Sequence, residues 1–243
     1  MTGPGAATTG KRVLVTRPEP AASLTAAKLT DAGFEPVLLP LSRTVSMAFT
    51  TLPDTRFDAL TVTSANAFRH AGHALPNRDM PLFAVGEGTA RAACEAGFTE
   101  VVDGGGDAVR LAETMRRTLP QGARILYLAG RVRQPIFEER VSAAGLDMTV
   151  CDVYDIETID YPRDELQRIL GTQPLAAVML YSGVAAEKFV EAMVGIAPPF
   201  NEKTRFLCIS ARVAAKLPTA WQANALVAEQ PDEKGLFRLF SKL

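Results

Sequence analysis

The chain has 243 residues, of which 47% are hydrophobic and 22% charged, with a formal net charge of -1 and an isoelectric point near 6.2. This balance argues against a basic surface for duplex nucleic acid or for an anionic membrane. No apolar run approaches the roughly 20 residues of a membrane helix, and the small, polar residues 1–10 lack the apolar segment of a signal peptide, so we expect a disordered tail on a cytoplasmic protein.

Short apolar or β-branched runs alternate along the chain with segments whose apolar residues recur at helical spacing. Gly33 and Gly97 follow two of these segments, where a left-handed residue commonly ends a helix. Continuous apolar strands separated by helices are typical of parallel sheets covered on both faces, so the sequence predicts an α/β fold. In chain order we predict strand 12–16, helix 21–32, strands 36–39 and 57–63, helix 67–75, strand 81–85, helix 89–96, strand 100–102, helix 108–119, and strands 124–128 and 149–153.

The same order of segments occurs twice. Residues 124–128 resemble 12–16 at an offset of 112 (124 minus 12), and residues 176–182 resemble 58–64 at 118 (176 minus 58). Further along, 206–210 resemble 82–86 at an offset of 124 and 232–236 resemble 107–111 at 125. The order is kept while the offset grows, as a duplication with loop insertions would produce. The period is too long for a solenoid, so the repeat predicts two similar domains.

Turns that contain glycine or small hydroxylic residues follow the predicted strands. In open α/β sheets, ligands bind beyond the carboxyl ends of the strands, where backbone amides can hold carboxylate or phosphate. Each Ser, Thr, Asn or Asp taken alone is explained equally well by helix capping. Six such turns together indicate a ligand with several anionic groups. The turns are Ser64–Asn66, Gly86–Thr89, Asp103–Asp107, Ala129–Arg131, Ser182–Gly183 and Ser210–Arg212.

Common catalytic and cofactor-binding motifs are missing from the sequence. There is no nucleophile elbow, no phosphate-binding loop and no cluster of metal ligands. Gly86-Glu87-Gly88 begins like a dinucleotide fingerprint, but Arg91 occupies the third glycine position, which disfavours a nucleotide-dependent enzyme. The cysteines have neither zinc-ligand nor redox spacing and are expected to be reduced: Cys94, Cys151 and Cys208.

The few remaining candidates favour a site that orients a substrate and stabilises charge through backbone dipoles and hydroxyls. His70 and His73 lie three residues apart on one predicted helix, where an exposed face is favoured over catalysis. Tyr154 stands at the end of the predicted strand 149–153, near the junction of the two halves. A half-buried aromatic residue and a polar contact with a ligand explain this tyrosine equally well.

Four motifs, in their order and spacing, resemble the uroporphyrinogen-III synthase family over residues 11–243. They are Arg12-Val13-Leu14-Val15-Thr16-Arg17-Pro18, Thr63-Ser64-Ala65-Asn66-Ala67, Val85-Gly86-x-x-Thr89-Ala90, and Val153-Tyr154 followed by a polar stretch. The resemblance implies two similar parallel-sheet, flavodoxin-like domains joined by a two-stranded linker. Domain 1 would contain residues 11–41 and 159–243, domain 2 would contain 46–152, and the linker strands would be 42–45 and 153–158.

The resemblance also implies an activity. Family enzymes are cofactor-free lyases of heme and porphyrin biosynthesis, and here we expect a monomer without a metal. Their substrate is hydroxymethylbilane, a linear tetrapyrrole rich in carboxylates, which binds in the cleft between the domains. Loss of the terminal hydroxyl gives an azafulvene, which closes through a spiro intermediate with inversion of the last ring to give uroporphyrinogen III and water. The alternative is an inactive ligand-binding or regulatory relative that keeps the fold.

Site residues are carried over by motif. Tyr154 resembles the family tyrosine that assists departure of the hydroxyl. Arg212 and Val213 stand where many relatives have two threonines, so Arg212 either pairs with a substrate carboxylate or points into solvent. The predicted substrate-binding residues are Arg17, Thr63, Ser64, Gly86, Thr89, Gly130, Arg131, Ser182 and Ser210.

Overall fold

The computed structural model describes residues 10–48, 56–71, 75 and 77–243. The predicted tail, apart from Gly10, and His73 lie outside the described residues. Described strands are β1 (Arg12–Val15), β2 (Glu35–Leu38), β3 (Ser42–Ser46), β4 (Ala59–Val62), β5 (Leu82–Ala84), β6 (Val101–Asp103), β7 (Arg124–Gly130), β8 (Asp147–Thr158), β9 (Leu175–Leu180), β10 (Arg205–Cys208) and β11 (Ala225–Val227).

Helices alternate with most of these strands, as predicted. Gly33 and Gly97, with φ of 82° and 93°, follow two of the helices as left-handed residues. Asp107 begins another by accepting the N–H groups of Val109 and Arg110. Described helices are α1 (Ala21–Asp31), α2 (Asn66–Ala71), α3 (Glu87–Glu95), α4 (Ala108–Thr118), α5 (Ile136–Ala143), α6 (Arg163–Leu170), α7 (Gly183–Ala192), α8 (Ala211–Ala214), α9 (Thr219–Gln222) and α10 (Glu233–Arg238), followed by a 3₁₀ turn (Leu239–Lys242).

The chain forms two compact units. Unit 1 comprises the residues up to Arg43 together with Thr158–Leu243, and unit 2 comprises Thr44–Glu157. The sheet of unit 1 has the strand order β11-β10-β9-β1-β2, and the sheet of unit 2 has the order β3-β8-β7-β4-β5-β6. The pairings among β1, β2 and β9–β11, and those among β4–β8, are parallel. The predicted α/β fold with two mostly parallel sheets is confirmed.

Strands β3 and β8 are neighbours at one edge of the second sheet and run antiparallel. The Met47 N–H donates to the Val153 carbonyl in unit 2, and the Ile159 N–H donates to the Leu41 carbonyl in unit 1, so residue numbers run in opposite directions along the pair. The assignment of 42–45 and 153–158 to an interdomain linker stays a prediction.

Strand registers in the two units agree with the internal repeat. Val13 of β1 is in register with Ala177 of β9, and Ile125 of β7 is in register with Ala59 of β4. Residue 125 is 112 after 13, and residue 177 is 118 after 59, which are the two offsets of the sequence repeat. Each unit therefore combines a β-α-β segment from one repeat with the remaining strands of the other.

Successive residues of the central strands pack into opposite cores. In β1, Leu14 lies in one core of unit 1, while Val13 and Val15 lie in the core on the other face of the sheet. In β7, Leu126 and Tyr127 divide in the same way between the two cores of unit 2. Burial of each large apolar side chain contributes about 1.5–3 kcal/mol, which explains the continuous apolar runs.

Candidate active site

The predicted residues of unit 2 gather at the carboxyl edge of its sheet, which we name the unit 2 edge. Strands β8, β7, β4 and β5 are neighbours in that order. Gly130, at the end of β7, is in register with Tyr154 of β8. Val62 ends β4 in register with Leu128 and with Ala84, so the turns after β4 and β5 begin at one level. The unit 2 edge comprises Thr63, Ser64, Gly86, Thr89, Gly130, Arg131 and Tyr154.

Tyr154 lies inside β8 rather than at the end of a strand, because β8 continues to Thr158. Its side chain packs against the backbone of Gly130. A Cβ atom added to Gly130 would lie 2.6 Å from both Cε2 and Cζ of the tyrosine and 2.9 Å from its hydroxyl oxygen. Tyr154 is only 8% exposed. Glycine is therefore required at position 130 for the ring to occupy this position.

His70 is an aromatic neighbour of Tyr154 that sequence reasoning missed. Its imidazole is half-buried and stacks on the ring of Tyr154, with centroids 5.5 Å apart and planes at 30°. Burial and, secondly, the charge of Arg69 lower the pKa of His70, which favours the neutral ring at pH 7. The prediction of an exposed face is wrong for His70, because α2 turns this residue towards β3 and β8.

Arg133 holds the turn after β7 in place. Its guanidinium donates to the carbonyl of Gly130 at 2.8 Å, to Asp152 at 2.6 Å and to Glu138 at 2.5 Å. Burial lowers the pKa of Arg133, but the two carboxylates outweigh burial and raise it overall. The guanidinium also lies over the ring of Tyr127, 5.9 Å from its centroid. These contacts fix the carbonyl of the glycine that supports Tyr154.

Arg131, two residues earlier, is exposed and available to a ligand. Its guanidinium lies 3.1 Å from the carboxylate of Asp155, and its backbone N–H donates to the carbonyl of Tyr154 at 2.9 Å. The side chain of Arg131 is 59% exposed, and exposed ion pairs contribute little stability. A substrate carboxylate can therefore compete with Asp155 for this guanidinium.

Thr63 makes a contact that its sequence motif did not predict. Its hydroxyl lies 2.6 Å from the hydroxyl of Tyr127, which is 2% exposed. Burial raises the pKa of Tyr127, although the hydrogen bond with Thr63 lowers it in part, so the phenol stays protonated. Thr63 therefore satisfies a buried phenol, and any contact with a substrate must be made in addition to this bond.

The neighbouring turns have structural roles that also suit anion binding. The hydroxyl oxygen of Ser64 accepts the N–H of Asn66 at 3.2 Å, which leaves its proton free to be donated. Gly86 precedes α3, and a Cβ there would lie 3.1 Å from Cα of Gly106, so close packing of two turns explains this glycine. Thr89 is buried in the first turn of α3. The Thr89 amide donates to the carbonyl of Gly86, whereas helix geometry gives the two preceding amides of α3 no acceptor within the helix.

In unit 1, the carboxyl edge of the sheet, named the unit 1 edge, contains Arg17, Ser182 and Ser210. The guanidinium of Arg17 lies 4.3 Å from the ring centroid of Tyr181 and donates to Glu233 at 3.1 Å. Thr25 and Lys28 also donate to Glu233. Burial raises the pKa of Glu233, but the bonds from Lys28 and Thr25 outweigh it and lower the pKa overall. Two cations share one carboxylate here, which leaves a local positive charge.

The two serines of the unit 1 edge differ in what their hydroxyls do. Ser182 caps α7 by accepting the N–H of Ala185 at 3.0 Å, as the capping interpretation of these turns requires. Ser210 precedes α8 without a side-chain cap bond, so its hydroxyl is not used to begin the helix. Arg212 is exposed within α8, and both alternatives for this residue, pairing with a substrate carboxylate or pointing into solvent, stay predictions.

Two features are absent from the described residues. None of the helices there combines the length and apolar character needed to cross a membrane. Within the same residues, His, Cys, Asp and Glu side chains form no group of three or more that could hold a metal ion.

Comparison with known proteins identifies the family. The family model described as uroporphyrinogen-III synthase HemD matches residues 23–238. The chain belongs to the uroporphyrinogen-III synthase family. It is therefore an enzyme of tetrapyrrole biosynthesis, and the inactive alternative is not favoured. No curated protein matched the sequence.

Solved structures agree in fold. Uroporphyrinogen-III synthetase from Helicobacter pylori is 17% identical, with a TM-score of 0.63 over 96% of this chain and 99% of that chain. A mutant uroporphyrinogen III synthase from the extremely thermophilic bacterium Thermus thermophilus is 18% identical, with a TM-score of 0.50 over 96% and 98% of the two chains. At these identities the likeness supports the uroporphyrinogen-III synthase fold and carries no residue roles.

Proposed function

We propose that this enzyme is a lyase that converts hydroxymethylbilane into uroporphyrinogen III and water, with Tyr154 as its catalytic residue. The observation that carries the proposal is the phenol of Tyr154, held against Gly130 at an edge lined by hydroxyls and helix N-termini. Such an edge suits a polycarboxylate substrate, because backbone amides and hydroxyls bind carboxylates without a basic protein surface.

In the proposed step, the bond between the terminal carbon and its hydroxyl oxygen breaks. The electron pair leaves with the oxygen, which takes a proton and departs as water, while the pyrrole nitrogen supplies electrons and releases its own proton, so that a neutral azafulvene forms with no net gain or loss of protons. Tyr154 would donate a hydrogen bond to the departing oxygen, because a neutral phenol is a donor. Hydrogen bonds that strengthen as charge develops contribute about 1.5–3 kcal/mol, or about 10- to 100-fold in rate.

The other edge residues would bind the substrate. Arg131 and Arg17 would each pair with a carboxylate in competition with Asp155 and Glu233, their present partners. The hydroxyls of Ser64, Thr89, Ser182 and Ser210 would donate to further carboxylates, with amides near Gly86 and Gly130. We propose no cofactor, a monomer, a cytoplasmic location and no nucleic-acid partner, in keeping with the near-neutral composition.

The test is an isomer assay. Freshly prepared hydroxymethylbilane is added to the protein, the product is oxidised, and the porphyrin isomers are separated by chromatography. We expect mostly the type III isomer. Only the type I isomer, which forms without an enzyme, would overturn the proposal in favour of an inactive binding relative.

The role of Tyr154 is tested by Tyr154→Phe, which should lower kcat about 10- to 100-fold by removing one hydrogen bond to developing charge. Tyr161→Phe is the matched control, since the Tyr161 hydroxyl donates to the carbonyl of Pro40 in unit 1 and Tyr161 is not among the proposed catalytic or substrate-binding residues. We expect Tyr161→Phe to leave kcat unchanged. Unchanged turnover in Tyr154→Phe would remove Tyr154 from the mechanism.

A further inference from the structure

His70 is held by two hydrogen bonds from its imidazole. Nε2 lies 2.8 Å from the hydroxyl of Thr44, and Nδ1 lies 2.9 Å from the hydroxyl of Ser46. A neutral imidazole has one donor and one acceptor nitrogen, and a hydroxyl can serve either, so both contacts are satisfied in either tautomer. Two contacts on opposite sides of the ring restrict its rotation, which one contact could not do.

The two hydroxyls belong to the strand that pairs with the strand of Tyr154. Thr44 and Ser46 are alternate residues of β3, so they lie on one face of the sheet. Beside them, the Met47 N–H donates to the carbonyl of Val153, the residue before Tyr154. The imidazole is therefore fixed to the same pair of strands that carries the tyrosine.

The ring of Tyr154 has two well-defined neighbours at this point. Gly130 contacts it through backbone, and His70 stacks on it at a centroid distance of 5.5 Å. Stacked aromatic pairs at 4.5–7 Å contribute roughly 0.5–1.5 kcal/mol beyond burial, enough to favour one ring orientation over others. Removal of the imidazole would leave space on one side of the phenol, since the described neighbours of the ring cannot fill it without moving.

We propose that His70 is a positioning residue for Tyr154: its imidazole, held by Thr44 and Ser46, fixes the direction of the phenol hydroxyl. This role rests on the proposed function of Tyr154. His70 takes no proton from the substrate in this scheme and need not contact it. A hydroxyl displaced by about 1 Å from its productive direction can cost up to about 100-fold in rate.

A double-mutant cycle tests the role. His70→Ala should lower kcat about 5- to 10-fold and change KM less than about twofold, because loss of orientation acts on the transition state. In the Tyr154→Phe background, the same change should alter kcat less than about twofold, since no hydroxyl remains to be positioned. His70→Phe keeps an aromatic ring without the two hydrogen bonds and should recover part of the loss. If His70 only stabilised the fold, His70→Ala would lower kcat by the same factor in the wild type and in Tyr154→Phe.

Magnetic resonance provides a readout that needs no activity. The sequence contains only two histidines, so His73→Asn assigns the imidazole signals of His70. Replacing Tyr154 by Leu should shift those signals by removing the ring current of the stacked phenol, whereas Tyr161→Phe should not. In the wild-type protein, the titration midpoint of His70 should lie below the ordinary value of 6.5.

The outcomes separate the two proposals. A reduced kcat in Tyr154→Phe, together with an additional and equal effect of His70→Ala in both backgrounds, would overturn the positioning role alone. Unchanged His70 signals in Tyr154→Leu would do the same. No type III isomer from the wild-type protein would overturn the proposed function, and the role of His70 with it.

Discussion

The backbone of Gly130 supports the ring of Tyr154 across the β7–β8 pair. The two residues are in register, and a single methyl group on the glycine would lie 2.6 Å from the ring. A methyl group at position 130 and the ring in its present position cannot coexist, so this position of the ring requires glycine at residue 130. The contact connects the geometry of a strand end directly to the proposed catalytic hydroxyl.

Gly130→Ala should therefore displace Tyr154 and lower kcat about 10-fold or more, with a loss of stability of about 1–3 kcal/mol from overpacking. Both are measurable, by the isomer assay and by urea unfolding. Gly88→Ala is the control for stability, because its added Cβ meets nothing within 4 Å. Stability as high in Gly130→Ala as in Gly88→Ala, with full turnover, would contradict the packing interpretation.

Thr63→Val should destabilise the protein by about 1–3 kcal/mol, because it deprives the hydroxyl of Tyr127 of its hydrogen bond. Thr63→Ser keeps the hydroxyl and should cost less. The double variant Thr63→Val with Tyr127→Phe removes both partners and should be more stable than the sum of the single changes predicts. Urea unfolding of the wild type, Thr63→Val, Tyr127→Phe and the double variant gives the coupling free energy between the two side chains. Strict additivity would argue against the 2.6 Å bond.

Glu233→Gln should lower stability at neutral pH and much less in acid. The folded-state pKa of Glu233 is depressed below 4.5, so its stabilisation is present above that value and is lost as pH falls through the folded pKa. The difference in free energy of unfolding between the wild type and the variant should therefore shrink as the pH is lowered from about 7 to below the ordinary pKa of 4.5. A difference that stayed constant with pH would show that the pairs with Arg17 and Lys28 do not depend on charge.

Cys94 should react with a thiol reagent long before the other two cysteines in the folded protein. Burial raises the pKa of Cys208 to about 12, and burial together with Asp152 raises the pKa of Cys151, whereas Cys94 is exposed. With a reagent that releases a coloured thiol on reaction, absorbance should record one rapidly reacting cysteine per native chain and three per denatured chain. Cys94→Ala should abolish the fast phase, and its survival would place another reactive thiol in the native fold.

The sequence alone determined the class of fold and the presence of two similar sheets, whereas the structure shows which chain segments form each sheet. Apolar side chains on both faces of strands such as 12–16 and 124–128 are shielded from water only when the sheet is covered on both faces. The repetition of these strands at increasing offsets indicated two similar sheets. The turns that line each edge followed from the same logic, because ligands meet parallel sheets at the carboxyl ends of the strands.

Only the tertiary structure decided which side chains meet at those edges. Thr63 and Tyr127 are separated by 64 residues, and Arg17 and Glu233 by 216, so no local spacing predicts their hydrogen bonds. His70 looked like a surface residue because the periodicity of α2 does not reveal that β3 and β8 pair beside it. Local propensity and periodicity describe one element at a time. The surroundings of Tyr154 are formed by β7, α2 and β3, which come together only when unit 2 folds.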